Sequence, residues 1–135
     1  MDRSRPLVVR QADGAPPPGP PTPGMLRHQL LDHGDRWIGW VQTDPGLAGG
    51  WHHHGDRDSY IYELRGAVTI ESGPGGRDKA TAEAGDLVFI PARMVHRELT
   101  APGEAAELFL VRIGSGPLNV NVDGPDPDIG SGADH

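Results

Sequence analysis

Between Met25 and Asp123 no stretch of ten residues keeps apolar positions at helical spacing without meeting a glycine or a proline. That leaves short extended runs as the regular elements this chain can form. They read as Leu26–Leu31, Trp37–Gln42, Trp51–His54, Ser59–Leu64, Ala67–Glu71, Lys79–Glu83, Leu87–Ile90, Val95–Leu99, Glu107–Ile113 and Asn119–Val122. The turn sequences DHGD, TDPG, GPGG, EAGD, IPAR and TAPG fall between them. Strands at this spacing, so punctuated, predict an all-β sandwich or barrel. The clearest hairpin connection is Glu71 to Arg77, and no repeat of fixed period is present.

At 135 residues the chain suits one domain with one core. Six of its 14 prolines lie between Pro16 and Pro23. That cluster excludes a helix or central strand there and predicts an exposed connector. It sets a strand-like arm, Leu7–Arg10, apart from the body, so residues 1–24 read as arm and linker. Residues 25–123 read as the barrel and 124–135 as an acidic, loosely held tail. With no cysteine, disulfides and thiolate chemistry are excluded. A net charge of −7 argues against nucleic acid or an anionic membrane as partner. No apolar run is long enough to cross a bilayer or serve as a secretory signal, so the expected location is cytoplasmic.

The strongest chemical feature is Trp51-His52-His53-His54. On a strand His52 and His54 share one face and His53 takes the other. Two imidazoles so placed can converge on one ion, but a site needs further ligands. His96, in an apolar run after a proline turn, is the best third candidate.

Gly46, five residues, His52-x-His54, four residues, Ser59, six residues, Gly66 resembles the first motif of the cupin superfamily. Gly85, five residues, Pro91, then His96 resembles the second. Together they span Gly46 to Thr100, about 40% of the chain. The resemblance implies a single antiparallel jelly-roll β-barrel with a divalent metal held by His52, His54 and His96. The sequence departs from the family pattern at three positions. Ser59 stands where the first motif has its glutamate ligand, with Asp58 beside it but of opposite strand parity, turned inward only by a bulge. Arg93 stands where the second motif has glycine, so the turn should differ in shape, and Thr100 where it has asparagine.

Three neutral histidines would leave the metal its full charge. That favours an anionic, oxygen-rich chelating substrate and open positions for oxygen. The expectation is a small metal-dependent enzyme, dioxygenase-like rather than isomerase, lyase or cyclase, with Fe2+ favoured over Zn2+, Ni2+ or Mn2+. The alternative is a non-catalytic cupin that senses or stores a metal or small ligand. Glu63 has inward parity and is either a general base or a salt-bridge partner of Arg65, Arg97 or Arg112. Asp58 or Ser59 is the candidate fourth ligand, and Ile61 and Met94 are candidate pocket residues. Of Trp37 and Trp40, three apart, at most one lines the cavity, and Trp51 faces away from the metal. Tyr60 and Tyr62 read as packing residues, and His28 and His33 as surface ones. A homodimer is expected, formed through sheet edges or the N-terminal arm.

Overall fold

The structure is a computed structural model and describes residues 3–17 and 21–127. Ten strands follow in chain order: β1 (Met25–Asp32), β2 (Arg36–Thr43), β3 (His52–His53), β4 (Asp58–Arg65), β5 (Ala67–Ser72), β6 (Asp78–Glu83), β7 (Leu87–Ile90), β8 (His96–Leu99), β9 (Ala106–Ile113) and β10 (Val120–Asn121). Each overlaps one of the runs read from the sequence. No helix among the described residues is long and apolar enough to cross a membrane.

The strands form two antiparallel five-stranded sheets, ordered β1-β2-β9-β4-β7 and β10-β3-β8-β5-β6. Consecutive strands repeatedly change sheet, which is the jelly-roll arrangement. Alternation along β2, β4 and β9 puts Trp37, Val41, Ser59, Ile61, Glu63, Leu108, Leu110 and Arg112 inside. Pairing then sorts these side chains into rows across the first sheet. Trp37, Arg112, Ser59 and Ile90 form one row, Gly39, Leu110, Ile61 and Val88 the next, and Val41, Leu108 and Glu63 a third. The apolar core is built from Trp37, Val41, Ile61, Ile70, Ile90, Leu108, Leu110 and Leu118. Gly39 is needed because the Trp37 indole lies over it: an added Cβ would sit 2.2 Å from the ring.

Two segments differ from the sequence reading. Leu7–Arg10 is extended but pairs with no strand among the described residues, and Leu7 and Val8 are exposed. The proline-rich connector is not simply exposed: Ala15 bridges to Gln29, Thr22 is buried, and the Pro21 carbonyl accepts from Asn121. Polyproline segments carry free carbonyls, and the barrel's edge supplies the donors that a sequence cannot reveal. Of the tail, residues 128–135 lie outside the described residues, while Asp126 accepts a backbone hydrogen bond from Gly75.

Candidate metal centre

β3 and β8 are neighbours, and their pairing sets His52 directly opposite His96. His54, one residue beyond β3, has the same parity as His52. All three rings turn into the barrel and are buried. Their ligand atoms lie within 4.8 Å of one another. Among the described residues no other set of three histidine or acidic groups converges in this way.

The hydrogen bonds decide which nitrogen faces the centre. Nδ1 of His52 lies 3.0 Å from the Gly50 carbonyl, Nδ1 of His96 2.9 Å from that of Met94, and Nδ1 of His54 2.8 Å from that of Leu118. A carbonyl only accepts, so each Nδ1 carries the proton and each Nε2 keeps a lone pair. Nε2 of His52 and of His96 are buried with no hydrogen-bond partner among the described residues. Buried acceptors left this way are costly unless something binds them. The residues therefore fit a divalent ion, with the backbone contacts that commonly orient metal-binding histidines. Burial pushes the His52 imidazole down to about 4 and that of His54 well below its ordinary value, where Arg112 adds to the effect. Neutral rings are the form that binds metal.

The sequence reading missed the fourth group in this centre. Glu98 lies two residues beyond His96 on β8 and is buried. Its carboxylate oxygens stand 3.4 Å from His96 Nε2 and 3.7 Å from His52 Nε2. Ligands bound at about 2.0–2.2 Å to one ion lie roughly 3–3.5 Å apart, so Glu98 is placed near the distance of a shared ligand. Burial alone would raise its carboxyl, but His52, His96 and Arg27 outweigh that and hold it below the usual carboxylate range. Glu98 thus adds a buried negative charge beside the three-histidine cluster. The signal was available: Glu98 has the parity of His96, but it lies outside the glutamate position of the first motif.

The other predicted residues are distributed as follows. Ser59 is fully buried and faces inward. Asp58 does not join the cluster: its Oδ1 accepts from the Ala92 backbone at 2.8 Å and holds the turn before β8. That turn keeps a glycine-like shape after all, since Arg93 adopts φ 66° and pairs with Asp56. Thr100 ties two loop strands, donating to the Asp44 carbonyl and accepting from Leu47. Glu63 is fully buried, and neither oxygen has a partner among the described residues, so none of the arginine pairings holds. Burial raises its carboxyl to about 7. It lies four residues along β4 from Ser59, roughly 13 Å at strand spacing. Ile61 packs in the core, whereas Met94 is part-exposed and borders a cleft with Ile70, Ser72, Val88 and Ile90. Ile61 does not border that cleft, so the two do not share one pocket wall. Trp37 is inside; Trp40 is outside, stacked on His28. Trp51 lies under Arg97 on the outer face. His53, facing away from the cluster, accepts from Gly55.

A two-sheet jelly roll with histidines gathered inside its barrel defines a class of small β-barrel proteins. Residues 39–114, more than half of the chain, match the family model described as "Cupin domain", and the protein belongs to that family. No curated protein sequence matches. Solved structures resemble it in fold. The polyketide cyclase RemF from Streptomyces resistomycificus is 20% identical, with a TM-score of 0.71 over 93% of this chain and 92% of that one. A conserved protein with a double-stranded β-helix domain from Klebsiella pneumoniae is 15% identical, with a TM-score of 0.69 over 91% and 97%. Oxalate oxidase in complex with the substrate analogue glycolate is 16% identical, with a TM-score of 0.63 over 73% and 55%.

Proposed function

We propose that the protein is a metal-dependent cupin enzyme acting on an oxygen-rich anionic small molecule. One observation carries this reading: three buried histidines, each with Nδ1 committed to a backbone carbonyl, turn their Nε2 atoms to a common point. A divalent ion held there would supply Lewis-acid polarisation of a bound oxygen. The chain does the rest. The carbonyls fix the rings, burial keeps them neutral and excludes water, and Glu98 contributes a negative charge beside two of the ligand atoms.

Glu98 also bears on the reaction class. A carboxylate beside histidine ligands suits oxygenase chemistry at iron as well as non-redox chemistry at zinc, nickel or manganese. The oxygenase-like reading therefore stands ahead of an isomerase, lyase or cyclase, and the metal decides between them. The full burial of His52 and His96 favours a second reading, a cupin that holds its ligand without turnover.

Elemental mass spectrometry of untagged protein purified without oxygen tests the proposal. A divalent metal near one per chain, lost in His96→Ala, is the expected result. Iron at that level would favour the oxygenase reading and call for oxygen-uptake assays, whereas zinc, nickel or manganese would favour isomerase, lyase or cyclase chemistry. No metal, even after reloading, would overturn the metal-dependent reading.

A homodimer is part of the same proposal. The outer face of the first sheet exposes Tyr60, Tyr62, Leu87, Phe89 and Phe109 together. Apolar faces of this kind commonly mark interaction surfaces. Light scattering that gives the monomer mass of 14.4 kDa would exclude it.

A further inference from the structure

Facing the histidines is a second group of buried polar side chains, carried by the other sheet. Arg112 on β9 pairs with Ser59 on one side and Trp37 on the other. It is 3% exposed, and its guanidinium carbon lies 5.1 Å from the centre of the Trp37 ring. Its Nε and Nη1 have no hydrogen-bond partner among the described residues, and neither does Oγ of Ser59. Arg27 on β1 adds a buried Nε in the same condition, while its Nη2 donates to Asn119 Oδ1 at 3.4 Å. The charges of Arg27 and Glu98 act on Arg112, and Arg112 acts on His54. Arg112 and Ser59 lie on the inner face of the sheet opposite the one that carries His52 and His96.

Arg27 and Arg112 are buried beside the Glu98 carboxylate, and the charge of a third buried arginine, Arg57, also acts on Arg112. An uncompensated buried ion costs several kcal/mol. The guanidinium fork matches a carboxylate in two-pronged geometry. Ser59 stands where the family motif carries its acid and occupies less volume than a glutamate. A cleft lies between β6 and β7. Its wall includes Ile90, the cross-strand neighbour of Ser59, and Ser72, the neighbour of His96.

We infer that Arg112 and Ser59 form a carboxylate subsite, so that the protein takes a short organic acid whose carboxylate lies against Arg112 while a second oxygen reaches the histidine-held metal. The second contact rests on the metal-centre reading; the first does not. The class comprises small dicarboxylates and 2-oxo, 2-hydroxy or 3-oxo acids, which carry an oxygen donor close to the carboxylate. In effect the ligand brings the acid that the first motif lacks.

Calorimetric titration of the zinc-loaded protein with malonate, and with malonamide as its uncharged counterpart, tests this. Malonate should bind and malonamide should not. Arg112→Gln should weaken malonate at least tenfold with zinc stoichiometry unchanged. Ser59→Glu, which sets a carboxylate of the protein's own against Arg112, should do the same and covers the case in which Arg112→Gln fails to fold. Either folded, zinc-bearing variant binding malonate as the parent does would overturn the inference, as would equal affinity for malonamide. One zinc per chain with no malonate binding defeats the subsite and leaves the metal centre standing. Arg112-dependent malonate binding without zinc uptake supports the subsite and defeats the metal centre.

Discussion

The barrel holds two buried glutamates in opposite conditions. Glu98 sits among His52, His96 and Arg27 and is held ionised. Glu63 sits across from Leu108, with burial the one influence on its carboxyl, and is raised to about 7. The residue type is the same and both side chains are shielded from solvent; the company differs. A carboxylate earns a functional reading from cations and ligand atoms within reach, and inward parity on a strand is not enough. The two therefore answer differently to mutation and to pH.

The largest effect is expected at the metal. His96→Ala should reduce bound metal to background, and Glu98→Gln should weaken affinity by about 10- to 100-fold. Glu63→Gln should leave metal content unchanged. Equal losses at the two glutamates, measured by competition with a chelator, would break the comparison.

Acid should act through the histidines. The His52 imidazole ionises near 6.5 in the unfolded chain but only near 4 when folded, so the unfolded state binds the extra proton between those values. Stability of the metal-free protein should fall as pH drops from about 6.5 to 4, by about 3 kcal/mol. Metal should be retained to about pH 5 or lower, below the 6-to-5 range that ordinary imidazoles would give. Denaturant melts at stepped pH, with and without metal, measure both.

Glu63 has the opposite slope. Its folded carboxyl holds a proton between about 4.5 and 7 that the unfolded chain has released, so its ionisation costs stability as pH rises through that range. Glu63→Leu should therefore raise stability by about 1–3 kcal/mol at pH 8 and by far less at pH 5. A variant that is less stable at pH 8 than the parent would show an unseen partner for Glu63. Smallest should be Arg93→Gly, which relieves a left-handed residue and should gain up to about 1 kcal/mol in thermal melts. His53→Ala, on the outer side of β3, should leave metal binding intact.

Much of this was legible in the sequence. Alternation and turn residues located the strands, because a half-buried strand writes its burial pattern directly into side-chain order. The same parity argument separated His52 and His54 from His53, and Trp37 from Trp40. It would also have found Glu98 and Arg112, each inward by parity, had charged residues in strands been followed without a motif in view. What the sequence could not carry was pairing across the fold. Ser59 beside Arg112 is a fact of register between strands about fifty positions apart. The docking of Ala15 on Gln29 depends on an edge that exists only after folding. The glycine-like turn at Arg93 is imposed by its surroundings against local preference.

The carbonyls that hold the three rings are not equivalent. Those for His52 and His96 lie two residues back along the chain, whereas the one for His54 belongs to Leu118, 64 residues away. Two ligands are thus oriented by their own strands, and the third waits for the last part of the barrel to dock. A metal held by all three rings would therefore report that the segment around Leu118 has docked. A nascent or clipped chain lacking the segment around Leu118 would have its histidines yet lack the grip, and retained metal would distinguish finished molecules from unfinished ones.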